Sequence, residues 1–173
     1  HKNGIHQGYM WLYHAPVDRL VLFDYRRGRD QSGPKTMLAD FKGIIQTDGY
    51  SVYHALFENH PHIQLTFCMA HARRYFVHAV KDDEKQANYV LDQIQKLYTL
   101  EEKLRAEKCT WEQRTEARKK YAQPILEKLE NWLEQNRYSY RQLSPMGKAI
   151  GYAHTRWAGL SAYVLHGQME IDN

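Results

Sequence analysis

Ile44-Ile45-Gln46-Thr47-Asp48-Gly49-Tyr50 is the stretch on which the reading of this chain turns. Two β-branched apolar residues make a short buried strand, Asp48 stands at its carboxyl end, and Gly49 follows at once before a new helical pattern. Ligands of open α/β sheets gather at the carboxyl ends of strands, so a carboxylate delivered there is placed to hold a catalytic metal. Taken without its neighbours, Asp48 reads as an ordinary turn aspartate before a glycine.

Upstream of this stretch, Gly8 to His14 and Arg19 to Tyr25 are rich in aromatic and β-branched residues, with Ala15-Pro16-Val17-Asp18 as a turn between them. An antiparallel hairpin is predicted. Residues 26–33 form a polar loop, and Pro34 and Gly43 bracket a short helix. Downstream, a helix is predicted from about Ser51 to Asn59, a break at Pro61, a strand over Ile63 to Phe67 and a helix from Met69 to Val80. The order β-β-α-β-α-β-α states only that the chain mixes α and β structure.

Beyond residue 84 the pattern changes. Ala87, Val90, Leu91, Ile94, Leu97 and Leu104 form one amphipathic stripe, and Tyr121, Ile125, Leu129, Trp132 and Leu133 form another, which predicts a helical hairpin with Trp111 and Trp132 in its core. Ser144-Pro145 starts a further helix that runs through His154 and Trp157 to about Leu165, with Gly167 as its stop. Three regions result: 1–80, 81–143 and 144–173.

The composition, 43% hydrophobic and 25% charged, is that of a soluble globular chain. No apolar run reaches the roughly 18 residues of a membrane span, so a cytoplasmic protein without membrane partners is expected. Cys68 and Cys109 lack the spacing of a disulfide framework. The net charge of +4 points only weakly to an anionic partner. Residues 81–141 hold 13 basic and 12 acidic side chains, the balance of solvated helix faces.

Three blocks carry a more specific signal: Thr47-Asp48-Gly49-Tyr50, Cys68-Met69-Ala70-His71-Ala72-Arg73-Arg74-Tyr75-Phe76 and Glu170-Ile171-Asp172-Asn173. With Gly8 to Tyr13, Leu20 to Arg26 and Trp157 to Tyr163, they resemble the bacterial transposases of the insertion-sequence 66 family along almost the whole chain. The resemblance implies a ribonuclease H-like mixed sheet lacking its first strand, with an inserted helical hairpin. It implies DNA as partner, both transposon ends and target, and a homo-oligomer associated with the nucleoid when DNA-bound. It also implies two Mg2+ or Mn2+ ions held by three acids.

By motif match Asp48 is the second of those acids, catalytic and metal-binding. The first is expected upstream of His1, and the third beyond Asn173, the first of an asparagine pair in the family pattern. Glu170 and Asp172 are expected as neighbours of the active site. The chain, opening on His1 instead of Met, thus reads as a fragment with one of three ligands, inactive by itself. Cys68 and His71 form a C-x-x-H pair with a structural role near the site, since a zinc centre needs two more ligands. His54, His60 and His62 read as solvent-facing loop residues. Arg26, Arg27, Arg29, Arg73 and Arg74 are candidates for DNA phosphate contacts, and ordinary surface arginines explain them about as well.

In such a sheet the absent strand is central, and each buried backbone group left without a partner costs on the order of 1–3 kcal/mol. The isolated segment is therefore expected not to fold stably, which a cooperative melt with sharp, dispersed amide signals would refute. Two other functions fit the residues: a ribonuclease H-like nuclease that only hydrolyses, and a non-enzymatic transposase remnant serving as a DNA- or protein-binding module.

Overall fold

The structure is a computed structural model that describes residues 7–172; Asn173 lies outside the described residues. It is mixed α/β, with two small sheets and several helices. The chain divides into two compact units, one of residues 1–44 and 50–65 and the other of residues 45–49 and 66–173.

In the first unit, β1 (Tyr9–Ala15) and β2 (Leu20–Arg26) form the predicted antiparallel hairpin, in register from Tyr9 opposite Arg26 to Ala15 opposite Leu20. Arg19 closes its turn at φ 55°. Trp11, 7% exposed, meets Tyr53 edge-on at 5.9 Å and Tyr50 at 6.3 Å. Gly33 is in contact with the Trp11 indole at 3.5 Å from where a Cβ would stand. The helix predicted between Pro34 and Gly43 is the shorter α1 (Ser32–Met37). A second helix, α2 (Ser51–Phe57), carries His54, a helical residue in contact with Glu58 at 3.0 Å rather than a loop residue.

Apart from Trp11, the hairpin buries little. Met10, Leu12, Leu20, Val21, Leu22 and Phe23 are all about half or more exposed. A two-stranded ribbon with so little burial is marginally stable. Where the isolated segment is folded enough to protect the helical core described next, the amides of β1 and β2 are expected to exchange hydrogen at least roughly a hundredfold faster than that core. Equal protection by hydrogen-exchange mass spectrometry would contradict that.

The strands β3 (Gly43–Thr47) and β4 (Ile63–Phe67) pair with each other in a second sheet. The Gly43 amide donates to the His62 carbonyl in the first unit, and the Cys68 amide to the Thr47 carbonyl in the second. Among the described residues, β1–β2 and β3–β4 form separate two-stranded sheets.

The second unit is mainly helical. Its core packs α3 (Met69–Ala79) against α4 (Glu84–Ala106) and α7 (Pro145–Thr155), with α6 (Gln123–Asn136) against α4 and α7. Ala72 and Ala79 on α3 and Ala149 and Ala153 on α7 are fully buried, and such small side chains let the two backbones approach closely. Asp83 caps α4 by accepting from the Gln86 amide at 3.0 Å and also accepts the Tyr140 hydroxyl at 2.8 Å. Asp82 accepts the Met146 amide in the first turn of α7 at 3.0 Å. The Asp82-Asp83 pair thus ties the α3–α4 turn to the segment leading into α7.

Three details depart from the sequence reading. Trp111, at the start of α5 (Trp111–Ala117), is 51% exposed, and Tyr121 is 54% exposed, so neither belongs to the core. Between α5 and α6 lies a π turn over Arg118–Ala122. Pro124 explains it: without an N–H to bond the Lys120 carbonyl, and with a ring that would strike it, the chain widens there. The wider turn shifts the helical phase, and the buried stripe becomes Arg118, Ala122, Leu126, Leu129 and Leu133. Trp132 is half-buried against Phe76 and Tyr89. The third departure is the helix predicted to run to Leu165. It breaks at Arg156 (φ −115°, ψ 8°) and continues as α8 (Trp157–Ser161) and a 3-10 turn over Ala162–Leu165.

Candidate functional site

β3 ends at the buried Thr47, whose hydroxyl accepts the Gly49 amide at 3.3 Å, so Asp48 stands in a tight turn just past the strand tip. Gly49 has φ +81°, a conformation side-chain-bearing residues rarely adopt. A Cβ on it would stand 2.7 Å from the Tyr152 hydroxyl and 2.8 Å from Arg156 Nε. Glycine is required on both counts, because the last turn of α7 presses against this peptide. The Tyr152 hydroxyl donates to the Asp48 carbonyl at 2.8 Å, and Arg156 Nη2 donates to the Gly49 carbonyl at 3.2 Å.

Two side chains lie against the Tyr152 ring. Tyr75 stacks on it at 4.5 Å, with 22° between the rings, and the Arg156 guanidinium lies 4.4 Å from its centroid. Burial pushes the Tyr152 hydroxyl up to about 12, with Tyr75, Asp48 and Cys68 adding to the rise and Arg156 opposing it. The phenol therefore remains a hydrogen-bond donor to the Asp48 carbonyl throughout the neutral range.

Cys68 ends the paired strand and is fully buried as the residue before α3; its carbonyl accepts the His71 amide at 3.3 Å. The C-x-x-H pair spans the strand-to-helix junction beside the Asp48 turn. His71 Nδ1 is buried without a hydrogen-bond partner among the described residues.

The third block arrives from the far end of the sequence. The Gln46 side chain donates to the Glu170 carbonyl at 3.0 Å, and the Met69 amide to the Ile171 carbonyl at 3.1 Å. All three blocks of the sequence reading therefore meet at one end of the second unit. The Glu170 carboxylate is engaged elsewhere: Arg105 holds Oε2 at 3.0 Å and Arg114 holds Oε1 at 2.9 Å. Asp172 hydrogen-bonds Tyr98, whose hydroxyl is shifted upward mainly by burial and then by the Asp172 charge, with Cys68 adding and Arg73 opposing.

Arg73 and Arg74 are exposed on α3. Arg26, Arg27 and Arg29 belong to the first unit. There Arg26 pairs with Asp24 at 2.8 Å, and Arg29 lies 4.1 Å from the Tyr50 ring centroid.

The support beneath this site lies outside the sequence reading. Arg118, fully buried, donates from Nε and Nη2 to the two oxygens of the equally buried Glu101 at 2.8 and 2.7 Å. Its remaining donors reach the carbonyls of Tyr163, His166 and Met169 at 2.8–3.0 Å. Arg114 adds a contact to Glu101 at 3.2 Å and one to the Met169 carbonyl at 3.3 Å. This cluster fixes the loop that carries Glu170 to Asp172. The signal for it is Arg114, Arg118 and Ala122 at intervals of four, with two arginines in the phase of a buried stripe.

A divalent ion of the kind implied by the resemblance suits the hard carboxylate oxygens of Asp48. Among the described residues, however, no three His, Cys, Asp or Glu side chains gather into a metal-holding group. The described residues thus offer this one motif-matched donor, and no complete ligand set. No helix among them is long and apolar enough to cross a membrane.

Comparison with known proteins gives the family. The profile of the Transposase IS66 family matches residues 1–173. An uncharacterized protein of Sinorhizobium fredii, y4jD, is 30% identical over 92% of this chain and 32% of its own length. A second from the same organism, y4qI, is 29% identical over 96% of this chain and 33% of its own. The chain spans about a third of the length of the curated relatives it matches. No solved structure matches it. The match over the whole chain, together with the convergence of the three motif blocks, shows that the chain belongs to the IS66 family of transposases.

Proposed function

We propose that this segment forms part of the ribonuclease H-like catalytic region of a DNA transposase, a protein that cuts transposon ends and joins them to target DNA. Asp48 is the acid it contributes to the metal-holding set. The observation that supports this most is the Asp48 turn itself: a carboxylate just past a strand tip, with its peptide pinned by Tyr152 and Arg156. Such pinning limits where the side chain can reach, and a metal ligand has to be held in that way.

Divalent ions held by such acids activate the attacking hydroxyl and stabilise the leaving oxygen. The residues of this chain position and support. Tyr152 and Arg156 fix the turn, Cys68 closes the adjoining strand, and Arg118 with Glu101 anchors the loop that brings Glu170 beside Gln46. Glu170, with both carboxylate oxygens bound by arginine, serves this anchoring.

The test is an assay of the full-length protein on transposon-end DNA with Mg2+ or Mn2+. Nicking followed by joining of the cut 3′ end to a target duplex is expected. Nicking without joining would mark a nuclease, and neither activity would point to a binding module.

A further inference from the structure

A concave groove of about 810 Å³ opens in the second unit, between α7, the segment joining α6 to α7, and Tyr75 of α3. Its size is that of a ligand site, near the upper end of the usual range of about 300–1,000 Å³. Its chemistry is one-sided. Arg137, Arg141, Lys148 and Arg156 line it, and among the described residues no aspartate or glutamate does. Arg141 and Lys148 are exposed and have no ion-pair partner among the described residues. Two carboxylates that touch lining side chains are themselves engaged: Glu134 with His154 at 2.6 Å and Arg137 at 4.0 Å, and Asp83 with the Gln86 amide and Tyr140.

The same wall carries four tyrosines: Tyr75, Tyr138, Tyr140 and Tyr152. Tyr138 is 83% exposed, with the Arg137 guanidinium 5.2 Å from its ring centroid, and Tyr75 is 39% exposed on top of Tyr152. Packing does not account for a phenol as exposed as Tyr138. The α7 side is open at Gly151, where a Cβ would meet nothing within 4 Å. At one end the groove reaches Tyr152 and Arg156, the two side chains that bond the Asp48-Gly49 backbone.

Cations without counter-charges bind phosphates, and exposed aromatic rings stack on bases that are free of a partner strand. Duplex DNA hides its base faces and offers such rings nothing. We propose that this groove holds an unpaired stretch of DNA strand, its phosphates on Arg141 and Lys148 and a base on Tyr138, leading to the Asp48 turn. The proposal rests on the transposase reading for the identity of the nucleic acid, and on the groove alone for its single-stranded form.

The test titrates the full-length protein against a labelled oligothymidine and a duplex of equal length by fluorescence anisotropy, over a range of salt. Tyr138→Ala is expected to weaken oligothymidine binding by roughly 5- to 100-fold, the worth of one stacked base, and to leave duplex binding unchanged. Arg141→Gln with Lys148→Gln should reduce the slope of log affinity against log salt by about 1.4, about 0.7 for each single-strand phosphate that is no longer neutralised. Gly151→Phe keeps every cation and tyrosine yet fills the groove, and should also weaken oligothymidine binding. Because these positions are exposed, the variants should melt with the parent.

Parental affinity for oligothymidine in all three variants overturns the proposal, as does an equal loss on duplex and single strand with Tyr138→Ala. Cleavage assays on the same preparations separate the two readings. If the parent cuts and joins DNA while the groove variants bind normally, the groove assignment fails and the transposase reading stands. If the variants lose oligothymidine binding while the parent neither cuts nor joins, the groove stands and the catalytic reading falls.

Discussion

Asp48→Asn in the full-length protein is expected to lower metal-dependent nicking of transposon-end DNA by at least about a thousandfold. Asparagine matches aspartate in shape, and the contacts that hold this turn from outside, from Tyr152 and Arg156, go to backbone carbonyls that the substitution leaves in place. What disappears is the negative charge that would hold a divalent ion. Losing roughly 4 kcal/mol of transition-state stabilisation corresponds to that thousandfold change. Tyr152→Phe should cost less, about 10- to 100-fold, because it frees the turn without removing the carboxylate. Nicking by Asp48→Asn within tenfold of the parent would remove Asp48 from the metal-holding set.

The second large effect is on stability. Arg118→Met is expected to destabilise the full-length protein by about 3–5 kcal/mol, because Glu101 and Arg118 are both fully buried and removing one strands the other's charge. For a region of this size that is a fall of roughly 6–20 °C in melting temperature. Arg114 still touches Glu101 at 3.2 Å and softens the loss. Arg118→Lys should not rescue, since all five guanidinium donors are in use and an ammonium has three without the planar fork. Changing Glu101 to Leu together with Arg118→Met should recover part of the loss by removing both charges. A single Arg118→Met variant within 1 kcal/mol of the parent in urea unfolding would show that the cluster is not a keystone.

Much of the local structure is legible because it follows from short-range rules. Pro16 and Asp18 in the hairpin turn, the β-branched Ile44-Ile45 pair, the Ser144-Pro145 helix start and the Ala87 to Leu104 stripe each mark an element where one is found. The convergence of Asp48, Cys68 and the 170–172 segment comes from motif matching. Its physical means, Gln46 to Glu170 and Met69 to Ile171, joins residues about a hundred apart or more and leaves no periodic trace.

The errors have a common cause. Hydrophobicity assigns Trp111 and Tyr121 to the core, while charge leaves Arg114 and Arg118 on the surface; the structure reverses all four. A buried arginine is unfavourable until its partner is known, and Glu101 stands 17 residues from Arg118 in sequence. The break at Arg156 is hidden for a similar reason. Its residue type is an ordinary helix former, and the kink is visible only in the backbone angles and in the side chain's contact with Gly49.

The π turn before Pro124 is a phase shifter. One residue more than an α-helical turn needs is accommodated there without interrupting the rod. Deleting a single residue between Arg118 and Ala122 would let the rod close to regular pitch with Leu126, Leu129 and Leu133 still facing the interior, whereas one further inserted residue would rotate everything after it by about 100° and swing those leucines out. Lengthening the chain by one residue at this point is thus expected to be more damaging than shortening it by one.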